Sequence, residues 1–343
     1  MSPYAKSGLT WLAVIAALGV FFAVRFAWIQ GFFTHVAPTA PPLCRAVAEG
    51  IKDPADLAAD AAHNAVFVAA ANRQAAQPDT DTQDGIYLLK LNDPTAAPVK
   101  LAGVPKDFHP TAIALYRGED GAQTLLVADR RGNGRHAIES YSVSFDGETP
   151  KLAPVTTIQS GLLVSPNGIA AASPDHFYVS NSFVSRNGIA RFAEDYLLWP
   201  HADLLAYNGQ GFRIAAQRLA APAGLLIKDN ILYVAVAGSR KVQAFTQDMM
   251  GYLTPLGELS LPARPDKLSL GDHGTLIVAG QTRPGSSQVF RVVLDAAGAP
   301  QSYQTIFSDD GHALSGASAA VIAGGQLFIA ASNDSKMLAC PIK

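Results

Sequence analysis

Apolar residues follow two regimes along this chain. Residues 8–24, GLTWLAVIAALGVFFAV, carry no charge, and after Arg25 the apolar character resumes in FAWI and GFF. Beyond Cys44 the apolar positions come in short runs with period-two character, separated by Gly, Pro, Asn and Asp, which is a strand signature. No long 3.6-residue period occurs there.

The short runs repeat. A proline, two variable residues and an aliphatic residue open an apolar run at Pro54, Pro110, Pro166, Pro222 and Pro265. Each is followed by a turn and a second apolar strand: NAVFVAAA, QTLLVAD, DHFYVSN, NILYVAVA and GTLIVAG. A sixth copy, SGASAAVIAGGQLFIAAS at residues 315–332, lacks the proline. The copies recur roughly every 45 to 60 residues, the spacing of propeller blades. Further period-two runs lie between them, such as GIYLLKL at 85–91, AIESYSV at 137–143, DLLAYN at 203–208 and QVFRVVL at 288–294. About four strands per copy and six copies predict an all-β, six-bladed β-propeller over residues 44–343.

Residues 1–34 stand apart. Through Phe33 the segment is long enough to cross a hydrocarbon core of roughly 30 Å as a helix, with Arg25 snorkelling. A transmembrane anchor and a cleaved signal peptide both fit this pattern. The length of the apolar stretch and the proline after the small-residue site near Ala40 favour the anchor. Lys6 and the amino terminus place the short tail inside and the propeller on the periplasmic or extracellular side. Residues 35–43, with APTAPP, form a stiff spacer.

Charge alters this picture little. The chain carries 26 Lys and Arg against 28 Asp and Glu, so nucleic acid is not an expected partner. The two cysteines add more. Cys44 and Cys340 bracket the ring, whose closure brings its ends together, and a bond between them would lock it. Two separate thiols are the alternative; a bond implies an oxidising compartment. No G-x-S-x-G, Walker loop, H-E-x-x-H or C-x-x-C is present. The basic loop RRGNGR at 130–135 is expected to be a solvated turn.

SPNGIAAASPDHFYVSN at 165–181, the closing KMLAC and the cysteine pair resemble the paraoxonase/arylesterase family, relatives of the strictosidine-synthase-like and gluconolactonase-like propellers. The resemblance implies lactone or aryl-ester hydrolysis, an N-terminal anchor, a disulfide joining the two ends and a tunnel calcium that polarises the carbonyl. The family's calcium ligands fall on the variable positions of the repeat. Here those positions hold Ala55, Asn167, Ala223, Asp266 and Lys267, so only Asn167 and Asp266 keep a ligand oxygen. Of the second, structural calcium set Asp56 remains, while Gly168 replaces an aspartate. Arg130 replaces a histidine of the water-activating pair.

The expected site is therefore Lys267, Asp266 and Arg130 as catalytic groups, Asn167 and Asp129 as substrate contacts, and Asn167, Asp266 and Asp56 as the residual metal donors. Three readings of it stand. The set is a structural salt bridge, or the Lys267 ammonium replaces the ion's charge, or other residues hold the metal. A small ester or lactone is the expected substrate, with a membrane-anchored, non-catalytic binding or scaffold propeller as the alternative. The remaining histidines, His176 in its strand aside, are expected in loops or at the surface.

Overall fold

The computed structural model describes residues 3–39, 43–72, 83–131, 135–147, 149–248 and 250–342. Residues 40–42 of the spacer, residues 132–134 of the basic loop and the side chain of Lys6 lie outside this set. Six four-stranded antiparallel sheets form the six blades. Their first strands are Pro54–Asp60, Pro110–Arg117, Pro166–Ser173, Pro222–Lys228, Arg264–Leu270 and Ala317–Ala323. Each touches the next, and the last touches the first, so the six close a ring around one axis.

Proline is tolerated at four of these strand starts because the first residue need not donate to the ladder. The ladder then slips. In every blade the pairing of first and second strands shifts register just after this opening position. A bulge aims its extra residue out of the regular pleat. The variable positions of the repeat are therefore the bulged residues of the inner strands.

Second strands such as Ala65–Ala70 are buried at every position. Neighbouring blades cover both faces, which is why these strands read as continuous apolar runs. Between the first and sixth blades, for example, Val66, Val68 and Leu89 pack with Val321, Phe328 and Met337.

The ring closes by exchange of chain ends. In the sixth sheet the strand Arg45–Val47 pairs with Met337–Pro341, beside Gln326–Ala331 and Ala317–Ala323. The Cys44–Cys340 disulfide forms across this seam, joining residues 296 positions apart.

Two helices depart from the sheets. The first, α1 (Pro3–Ile29), includes a 19-residue span, Trp11–Ile29, with mean hydropathy 2.3 and no buried residue. It is long and apolar enough to be a membrane span or a signal sequence. The second, α2 (Gly188–Tyr196), was not visible in the sequence pattern. Buried Glu194 anchors it, accepting from Val184 N at 2.8 Å and Ser185 N at 3.1 Å. Phe26 of α1 meets Tyr196 of α2 with ring centroids 5.5 Å apart.

Candidate functional site

The bulges converge on the axis, where they divide the tunnel into two cavities. One, of about 260 Å³, is lined by all six inner strands and holds Asp56 and Lys267 among Leu57, Ile113, Leu268 and Ile322. The other, of about 310 Å³, sits where the strands begin and holds Asn167, Asp266, Arg264, Gln281, Arg283 and Gln30. Adjacent residues Asp266 and Lys267 thus line different cavities. A contact between Lys267 and Asn167 marks the partition.

Lys267 is only 2% exposed. Its ammonium donates to the backbone oxygen of Asn167 and, at 3.0 Å, to Asn167 Oδ1. Asp266 Oδ1 lies 3.6 Å from the same Nζ, yet it is buried and has no hydrogen-bond partner among the described residues. An ammonium has donors and no acceptor, so the amide atom facing it must be Oδ1. That fixes the orientation of Asn167 and leaves its Nδ2 to donate elsewhere.

Asp56 belongs to the other cavity. Its two oxygens accept from Leu57 N at 2.9 Å and Ile113 N at 3.0 Å. Burial pushes its carboxyl up to about 6, opposed by the Lys267 ammonium and by those two N–H groups. Gly168 is a close approach of backbone: a Cβ there would collide with the backbone oxygen of Ala223. An aspartate at this position has no room.

Asp129 and Arg130 line neither cavity. Asp129 is fully buried, accepting from His109 N at 2.8 Å and Arg131 Nε at 2.6 Å, and Arg131 continues to Glu139. Burial raises Asp129 to about 6. Arg130 places its guanidinium 5.9 Å from the ring of Phe183. The five catalytic and substrate candidates therefore split: Asn167, Asp266 and Lys267 meet, and the other two do not join them.

Two features escaped the sequence reading. His109 lies in the loop just before the strand at Pro110, but not at the surface; it is buried, with Nδ1 2.6 Å from Asp84 Oδ2. The available signal was its place just before a repeat proline. Arg264, also next to such a proline, enters the Asn167–Asp266 cavity.

Ala55 and Ala223 are buried and offer no side-chain oxygen. Among the described residues no group of three or more His, Cys, Asp or Glu side chains is arranged around a common metal position.

Comparison with known proteins agrees with the fold described above. The structure is similar to a PQQ-bound aldose sugar dehydrogenase from Streptomyces coelicolor, with TM-score 0.57 and 17% identity, over 88% of this chain and 99% of that one. At that identity only the fold is shared. In sequence it is similar to serum paraoxonase/arylesterase 1 of Homo sapiens, 26% identical over 263 residues, covering 71% of this chain and 73% of that protein. Serum paraoxonase/arylesterase 2 of Homo sapiens is 25% identical over 267 residues, covering 73% and 74%. The Arylesterase family model matches residues 75–342, and the chain belongs to that family of ester and lactone hydrolases.

Proposed function

We propose that this protein hydrolyses a small ester or lactone in the Asn167–Asp266 cavity without a tunnel calcium. The observation that carries this reading is the Lys267–Asn167–Asp266 cluster. Calcium, which the family resemblance implies, wants six to eight oxygens. Asn167 Oδ1 is already taken by an ammonium, Ala55 and Ala223 supply none, and Lys267 adds positive charge at the same point. The donor set does not fit the ion.

The residues support a different division of labour. Asn167 Nδ2, oriented by Lys267, donates to the carbonyl oxygen as it gains negative charge. The Asp266 carboxylate, whose side chain is 22% exposed, takes a proton from water as the water oxygen bonds to the carbonyl carbon. The tetrahedral centre then expels the alkoxide, which recovers that proton from Asp266. Lys267 is a positioning residue: it holds the amide and balances the carboxylate. Arg130 and Asp129 have no step here.

We further place the enzyme on the membrane through α1, with the propeller on the periplasmic or extracellular side. The helix ends at the cavity: Arg240 Nη2 donates to Ile29 O at 3.3 Å and Arg264 Nη1 to Gln30 Oε1 at 2.7 Å. Carbonate extraction is expected to leave the full chain in the pellet; release of a shortened protein would overturn the anchor.

The test of the chemistry is phenyl acetate and δ-valerolactone hydrolysis by the full chain in neutral detergent, with and without EDTA. Activity that resists EDTA and falls roughly a hundredfold or more in Asp266→Asn is expected. Activity abolished by EDTA and restored by calcium would return the protein to metal-dependent hydrolysis. No activity on any ester or lactone, with the fold intact, would favour the binding propeller.

A further inference from the structure

Arg264 has one of its two donor edges in use and the other empty. Nη1 is held by Gln30 Oε1, whereas Nε and Nη2 are withdrawn from solvent and have no hydrogen-bond partner among the described residues. Those two nitrogens form one side of the guanidinium plane, and their N–H bonds run nearly parallel. Such an edge matches the two oxygens of a carboxylate or phosphate. Leaving it dry and unpaired is unfavourable.

Nothing among the described residues supplies the missing oxygens. Among the described residues Arg264 makes no ion pair, and Asp266, the acid in the same cavity, lies instead beside the Lys267 ammonium. The charge that acts on Arg264 is another cation, Arg240. Burial and that neighbour lower its pKa to about 10, the mark of a cation without a counter-ion. Arg283 lines the same cavity. With Lys267 behind Asp266, the surroundings are net positive. Ala221, Ala223, Ala237 and Pro265 leave small apolar walls in which a short carbon chain can lie.

We infer that the tunnel-mouth cavity is an oxyanion-binding site in which the guanidinium of Arg264 turns its sealed Nε and Nη2 edge toward the cavity and takes the carboxylate or phosphate group of a small ligand. Gln30 sets the plane of the guanidinium, so the end of α1 is part of the site. The inference concerns binding and holds with or without turnover.

Titration calorimetry on the full chain in neutral maltoside micelles tests it, with hexanoate, its uncharged isostere hexanamide, and inorganic phosphate. Hexanoate is expected to bind at least about tenfold tighter than hexanamide. Competition by phosphate would show that the oxyanion alone occupies the site; hexanoate binding without competition would show that the carbon chain is also needed. Arg264→Gln is expected to abolish the preference for hexanoate. Arg264→Lys keeps the charge without the paired edge and is expected to lose most of it, and it decides the matter if the glutamine variant does not fold. Arg240→Gln, which leaves the edge in place, is expected to retain it. Equal binding of hexanoate and hexanamide, no binding of either anion, or equal weakening by the Arg240 and Arg264 variants would overturn the site.

Discussion

Lys267 Nζ and Asn167 Oδ1 meet at 3.0 Å across the tunnel, a hundred residues apart in the chain. Each sits on the bulge of its inner strand. The contact ties the third blade to the fifth, past the alanine and glycine of the fourth.

Lys267→Met removes the ammonium, frees the Asn167 amide to turn and leaves Asp266 without its balancing charge. Asp266 is partly exposed, so water recovers some of the loss. A destabilisation of about 2–3 kcal/mol in urea unfolding is expected. Hydrolysis should fall in kcat more than in KM, and Lys267→Arg should recover part of both. An unchanged midpoint would show that the contact contributes nothing.

Calcium is expected to leave the melting temperature of the wild-type protein unchanged. The combined variant Ala55→Glu, Ala223→Asn, Lys267→Asn restores three oxygen-bearing side chains and removes the cation, so calcium should then raise it. Adding Gly168→Asp should destabilise the protein, because the backbone of Ala223 fills the space a side chain would need.

Asp56 makes stability depend on pH. Its carboxyl rises from an ordinary 3.8 to about 6, chiefly through burial, so the folded state binds the proton more tightly than the unfolded chain does. The stabilising contribution is complete below about pH 4 and is lost as pH rises through about 6, by roughly 3 kcal/mol. Relative to Asp56→Asn, the wild type should therefore lose stability between these values. Paired denaturation curves at pH 4 and pH 7 read the difference; a constant gap would contradict it.

Replacing both Cys44 and Cys340 with serine opens a loop that spans nearly the whole propeller. The loop-entropy model gives about 5–6 kcal/mol for a closure of this length, as an upper value. Reductant should lower the melting temperature of the wild type and leave that of the double variant alone.

The blades were legible because each inner strand announces itself. Pro54, Pro110, Pro166 and Pro222 stand where a strand can lack an N–H, and the buried second strands follow as unbroken apolar runs. The axial set was half legible: equivalence within the repeat identified Asn167, Asp266 and Lys267 without showing that the bulge sends Asp266 and its neighbour to different cavities. Asp129 shares the apolar-run ending of its strand with no hint that Arg131 claims it. His109 and Asp84 pair over 25 positions, and no local pattern links them. Helix α2 has nine residues, too few for its period to stand out from the surrounding loop. Arg264 is informative only through the partners it lacks, and a sequence does not display those.

The seam of the sixth sheet has a consequence for biosynthesis. Its outermost strand is made about 290 residues before its neighbour, so a nascent chain that has not reached residues 337–341 cannot complete that sheet. Until residues 337–341 emerge, the strand at residues 45–47 has no partner, and the nascent ring keeps two raw edges. Closure thus waits on residues 337–341, and a chain that stops before them forfeits both the strand that completes the sheet and the thiol that seals it.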